Sequence, residues 1–233
     1  MATTTGRTTQ RAGAAKERLS RDTVARAAID LADSEGLDAL TIRRLATGLG
    51  VTPMALYWHF KDKDALLDGI AEQLLSEVHL PDDDGDDWDG HLREVLDSLL
   101  SGLAAHPAVA DLVKKRILLS DPGREITERV LMLLRRGGFS PEQSSQLGMY
   151  ALLTMTSLVT GEPGLAVGTS EEEREQEVRH KWAALQALSP KRFPHVVDSA
   201  ASLTDCAASE QWLGFGMDTL MAGIRGQASA NRS

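Results

Sequence analysis

The sequence predicts an all-α protein, a small three-helix helix-turn-helix head joined to a larger helical body. Three observations carry this expectation. No segment alternates apolar and polar residues with the period of two that a half-buried strand requires. Aromatic residues are only 4% of a 233-residue chain rich in Leu and Ala, which favours helix over sheet. Apolar residues return instead every three or four positions, in segments opened by Ser, Thr or Asp as helices are.

Residues 1–19 are rich in Thr, Gly, Ala and Arg, have no apolar period, and read as a flexible arm. Ser20 is a plausible N-cap for a first helix whose stripe is Val24, Ala27, Ala28, Leu31 and Ala32 and which stops near Gly36. Thr41 caps a short second helix carrying Ile42, Leu45, Ala46 and Leu49, and Gly50 is placed to end it in the left-handed conformation. Thr52-Pro53 opens a third helix of about two turns, MALYWHF, before Asp62 caps the next. Short helices with a tight turn between the second and third make residues 20–64 a helix-turn-helix unit.

The body, residues 65–225, reads as longer helices. A stripe from Leu66 to Val78 marks a helix from Lys63 to about His79, followed by the solvated break PDDDGDDWDG. Further helices are expected from His91 to His106, from Pro107 to about Leu119, and from Ile126 to Leu134, the last closed by Gly137-Gly138. Ser140-Pro141-Glu142-Gln143 combines an N-cap, a first-position proline and a capping-box glutamine, opening a helix to Thr160. After the loop EPGLAVGTS, an acid-rich start leads a helix over residues 171–189, SPKRFPH is a proline-bounded connector, and a last helix spans Thr204 to Ile224. Residues 226–233 read as a flexible tail.

Charge is divided unevenly. The chain totals -9, yet residues 1–63 hold ten Lys/Arg against seven acids, a balance of +3, leaving -12 on the rest. Such asymmetry marks an attached nucleic-acid-binding module. The lone cysteine, Cys206, excludes an internal disulfide, and neither an export signal nor an apolar run of membrane length is present, so a cytoplasmic protein without membrane contact is expected. There is no HExxH, no phosphate-binding glycine loop and no GxSxG, and six scattered histidines form no constellation by spacing. No enzyme, no cofactor and no metal site is expected.

Helix-turn-helix geometry assigns roles within the head. Only the N-terminal side chains of a recognition helix reach base edges, here Thr52, Pro53, Met54 and Ala55; Met54 and Ala55 offer apolar contact, for instance to a thymine methyl. Arg43, at the start of the preceding helix, suits a bidentate contact to guanine. Tyr57, Trp58, His59 and Lys63, with the Thr41 hydroxyl, suit phosphates. Core packing is the competing role for the aromatics, and Phe60 is turned inward by its spacing from Leu56. Arg7, Arg11, Lys16 and Arg18 either trail into a minor groove or remain solvated.

The run LTIRRLATGLGVTPMALYWHFKDKDALLD resembles the DNA-binding segment of the tetracycline-repressor (TetR-like) family of bacterial regulators, and Tyr57-Trp58-His59 with Lys61 and Lys63 is closest to its tetracycline-responsive branch. GGFS, RFPHV and FGMDTLMAGI are similar to that branch's C-terminal domain. The resemblance implies a homodimer that binds a palindromic double-stranded DNA operator and is released by a small-molecule inducer. Operator geometry also asks for a dimer, since one module reads few base pairs.

The expected interface uses Leu147, Leu152, Met155 and Val159 on one helix and Trp212, Phe215 and Leu220 on the last. Gly148, Gly214, Gly216 and Gly223 there would permit close helix approach, and core packing of a monomer is the competing reading. His79 falls where the tetracycline branch has an inducer-contacting histidine, whereas Val95 and Leu99 replace an amide and an aromatic contact, and LVKKRILL offers no metal-binding histidine. The implied pocket, with Leu96, Leu99, Leu103, Met149, Leu153, Trp182 and His195, is mainly apolar and suits a hydrophobic inducer, although core packing explains its aliphatic members equally well. The alternative is a regulator whose body answers to a protein partner.

Overall fold

Each helix of the head begins where a short polar side chain holds one of the first free amides. The computed structural model describes residues 19–82, 85, 87–161, 171–204 and 209–231. The arm cations up to Arg18, the loop EPGLAVGTS and Cys206 lie outside the described residues. Ser20 Oγ accepts from the Thr23 amide at 3.1 Å and starts α1 (Arg21–Glu35). Thr41 Oγ1 accepts from Arg44 at 3.1 Å and starts α2 (Ile42–Leu49), which Gly50 ends at φ 65°, ψ 31°, a conformation costly to a residue with a Cβ. Thr52 caps α3 (Pro53–Tyr57), and Asp62 Oδ1 accepts from the Ala65 amide at 2.7 Å at the start of α4 (Lys63–Ser76). α3 is shorter than MALYWHF suggests because the chain turns at Trp58 and His59 to deliver Phe60 to the interior.

The body is helical throughout its described residues. α5 (Trp88–Ala105) starts before the expected His91, since Asp87 caps it through the Gly90 amide at 3.0 Å. α6 (Ala110–Arg116) lies between 3₁₀ turns at Pro107–Val109 and Ile117–Leu119 rather than in one continuous helix. α7 (Asp121–Arg136) begins well before the expected Ile126, at the Ser120 cap with Pro122 in its first turn. α8 (Pro141–Thr160) carries the capping box of Ser140 and Gln143. α9 (Glu171–Gln186) is followed by α10 (Pro194–Asp198), formed from the expected connector, then α11 (Ala200–Thr204) and α12 (Ser209–Asn231). α12 runs past Ile224 through the expected tail because Ala228 is buried and Asn231 bonds Gln143. Among the described residues no helix is long and apolar enough to cross a membrane.

α4 serves both parts. It packs on α1 within the head and on α5, α6 and α7 within the body, so one apolar cluster runs from Val24 through Leu66, Ile70 and Leu74 to Leu103 and Met155. At the joint, the fully buried Phe60 ring lies against Gly69; a Cβ there would meet Cζ at 2.9 Å and Cε1 closer still. Arg21 covers the same ring, its guanidinium carbon 4.6 Å from the centroid. At the far end of the body, Gly216 of α12 takes the Leu158 side chain of α8, where a Cβ would fall 2.5 Å from it.

Gly69→Ala therefore overpacks the joint and is expected to lower stability by about 1–3 kcal/mol. Gly48→Ala, at a helical site with no atom within 4 Å of the added carbon, is expected to raise it by about 0.5–1 kcal/mol. Urea denaturation at a fixed protomer concentration reads both.

Candidate nucleic-acid interface

The head presents side chains that the protein itself does not use. Met54 is 66% and Trp58 85% exposed, while their neighbours Leu56 and Phe60 are fully buried. Met54, Tyr57 and Trp58 together place exposed apolar surface on one short stretch of the head, a candidate contact surface. Tyr57 is exposed as well, and His59 is half-buried with its backbone carbonyl accepting from Arg21 at 3.4 Å. Phe60 is core, and the other two aromatics are not. Thr52, Pro53 and Met54 are exposed at the N-terminus of α3, Ala55 is half-buried, and Lys63 is exposed in the first turn of α4. The Thr41 and Thr52 hydroxyls remain exposed while capping.

α2 carries two arginines with different fates. Arg43 is exposed and its guanidinium has no partner among the described residues. Arg44 donates from Nε to Glu35 Oε2 at 3.1 Å and from Nη2 to Glu35 Oε1. The hydrogen bond to Glu35, and secondarily its charge, push the Arg44 guanidinium further above its ordinary value. No spacing rule links a residue at the end of α1 to one in the next helix, so the sequence held no signal of this pair.

Ion pairs tie the head to the body. Arg21 meets Glu72 at 3.5 Å and Arg26 meets Glu77 at 3.8 Å, both binding α1 to the α4 segment. Arg116 of α6 holds Asp68 at 2.8 Å and Asp64 at 3.7 Å. His106, at the end of α5, donates from Nδ1 to Asp33 Oδ2 of α1 at 2.7 Å. Asp33 Oδ1 is buried without a hydrogen-bond partner among the described residues.

In the body, the structure redistributes the expected residues. Leu152, Met155 and Val159, expected at a subunit interface, lie inside the protomer, because α8 turns the arc centred on Met155 toward α5, α6, α7 and α12. Met149 and Leu153, expected in a ligand pocket, are consequently on the outer face of α8. Leu96, Leu99 and Leu103 fill the core along α5. Trp182 of α9 and His195 of α10 are exposed, and α9 packs chiefly against α10 and α11. His79 lies exposed beyond the end of α4, its amide donating to Ser98 Oγ at 2.7 Å. The eight expected ligand residues are thus not assembled into one cavity. Trp212 and Phe215 are exposed on α12, whereas Leu147 and Leu220 are nearly buried at the edge of a groove of about 460 Å³ between α8 and α12.

Residues 25–70 match the family model of bacterial regulatory proteins of the tetR family, and residues 80–228 match that of the tetracyclin repressor-like C-terminal domain. The chain belongs to the TetR family.

Like other TetR-family proteins it pairs a helix-turn-helix head with a helical body. It is 34% identical over 178 residues to tetracycline repressor protein class C of Escherichia coli, covering 76% of this chain and 78% of that one. The TetR family protein ActR of Streptomyces coelicolor, solved in complex with actinorhodin, has a TM-score of 0.73 at 29% identity, over 91% of this chain and 99% of that one. BioQ, solved with its natural double-stranded DNA operator, has a TM-score of 0.54 at 26% identity, over 79% and 99%. The similarity reaches both tetracycline repressors and ActR, so it fixes the family and no branch within it. The fold is consistent with ligand-modulated repression through DNA binding, and its family is one of regulators rather than enzymes. Among the described residues no group of three or more His, Cys, Asp or Glu is placed to hold a metal ion.

The Asp33–His106 contact generates a stability prediction. Removing His106 strands a carboxylate that already has one buried oxygen unpartnered, so His106→Ala is expected to cost about 1–3 kcal/mol. Adding Asp33→Ala should recover part of that loss, and a double-mutant cycle in urea measures the coupling.

Proposed function

We propose that this chain is a homodimeric transcriptional repressor that binds a palindromic operator and is released by a small hydrophobic inducer. The observation that carries the reading is the exposed surface of the head, where Arg43, Met54, Tyr57, Trp58 and Lys63 stand exposed beside the capping Thr41 and Thr52. Arg43, Thr52, Pro53, Met54 and Ala55 read base edges, while Thr41, Tyr57, Trp58, His59 and Lys63 hold phosphates and fix the register. The division of charge, +3 over residues 1–63 and -12 over the remainder, supports an orientation with the head on the duplex and the body away from it.

The dimer interface is proposed on the outer faces of α8 and α12. Tyr150, Leu153, Trp212 and Phe215 leave an apolar surface there, and Gly214 and Gly223 of α12 have no neighbour within 4 Å of an added Cβ. A partner's helices would cover that surface and set two heads at half-sites about 34–36 Å apart.

The inducer is proposed to be a small hydrophobic compound, for which actinorhodin in its complex with ActR is the proposed guide, rather than tetracycline with a metal. The resemblance to the tetracycline branch is strongest in the head; in the body, Val95 and Leu99 are buried aliphatics that offer a polar ligand nothing. Ligand binding would act through α4, which belongs to both head and body, by favouring one separation of the heads over another.

Gel retardation on fragments selected from the genome tests this reading. Sequence-specific retardation, relieved by a hydrophobic compound such as actinorhodin, is expected; no sequence preference at any salt concentration overturns it. Lys63→Ala should weaken binding to all sequences and flatten the slope of log K against log salt by about 0.9. Arg43→Ala should instead relax the preference at one base pair by about 1–3 kcal/mol. Phe215→Glu should convert the dimer to monomer in light scattering while leaving helix content unchanged.

A further inference from the structure

We propose that Glu35 is a specificity residue of the DNA interface, which holds Arg44 away from phosphate and leaves Arg43 as the α2 guanidinium available for reading. The inference rests on the DNA-binding function proposed above. It starts from two adjacent arginines on a helix that buries Ile42, Leu45 and Ala46. At about 100° per residue, these inward positions put Arg43 and Arg44 about 100° apart, on either side of the face opposite the buried stripe of α2. The Arg44 flank faces the end of α1, where Glu35 is the last helical residue.

The contact engages both carboxylate oxygens, one at 3.1 Å from Nε and the other on Nη2, the fork geometry that a phosphate would otherwise receive. The Arg44 amide is separately held by Thr41, so main chain and side chain are both fixed. The side chains are 45% and 36% exposed, and a pair so wetted contributes little to stability. Its effect is on charge. A released arginine beside the reading helix would gain a phosphate on any sequence, and the benefit would be largest on non-operator DNA, where no base contact fixes the register of α2.

The test compares the native chain with E35Q, R44A and E35Q/R44A, the last having the native net charge. Binding to an operator selected from a random duplex pool and to a scrambled duplex is titrated across salt concentrations. E35Q is expected to steepen the salt slope on scrambled DNA by about 0.9 and to lower the operator-to-scrambled affinity ratio. R44A should leave the slope at its native value, and E35Q/R44A should return to it. Slope and ratio unchanged in E35Q overturn the proposal, as does a flatter slope in R44A, which would mean that Arg44 already grips phosphate. A steeper slope persisting in E35Q/R44A assigns the effect to the charge of Glu35 alone and equally overturns it. A purely structural pair would move only the thermal midpoint. Absence of operator preference in the native chain would remove the DNA-reading function itself, whereas native preference with unresponsive variants removes only the role of Glu35.

Discussion

The placement of the proposed reading surface depends on one contact, the Phe60 ring against the bare backbone of Gly69. The chain leaves α3 and must turn at Trp58 and His59 before entering α4, and the ring is what draws that turn onto the helix. A side chain at position 69 would crowd the ring and disturb the turn between α3 and α4. Arg21 seals the ring from the solvent side and also reaches Glu72, so the same few residues lock α1, α3 and α4 into one unit. Close packing makes such a unit a lever rather than a cushion, because a dense core transmits displacement instead of absorbing it.

α4 is where that lever is grasped. Its N-terminal turn presents Lys63, its middle packs beneath the head, and its acids Asp64 and Asp68 are held by Arg116 from the body. Asp33 and His106 form a second tie on the far side of α1. Under the proposed function, a ligand that displaced α6 would reach the head through these ties.

What was legible in the sequence was local. Ser20, Thr41, Thr52, Asp62 and Ser140 cap helices through amides three residues away, so their signal is complete within a short window. The alternation of buried Leu56 and Phe60 with bare Tyr57 and Trp58 follows from spacing in the same way. The body was less legible because α8 is apolar on several sides. Met149, Leu152, Leu153 and Met155 are chemically alike, and only the positions of α5, α6, α7 and α12 decide which of them face inward. Charge pairs between helices, such as Glu35 with Arg44, depend on an interhelical angle that no window contains. The start of α7 is the exception, since Ser120 and Pro122 were present as a cap signal that the apolar stripe beginning at Ile126 overshadowed.

The caps of the head have one more consequence. At three of the four helix starts of the head a residue bound to the fold stands beside one that is not: Thr41 is two positions from Arg43, Thr52 two from Met54, and Asp62 one from Lys63. The first member of each couple holds an amide, and its loss would fray the helix. The second touches little within its own protein, so replacing it leaves folding almost untouched. Under the proposed function, base preference could thus drift through substitutions at Arg43 and Met54, and overall affinity through Lys63, all nearly silent in the unliganded chain.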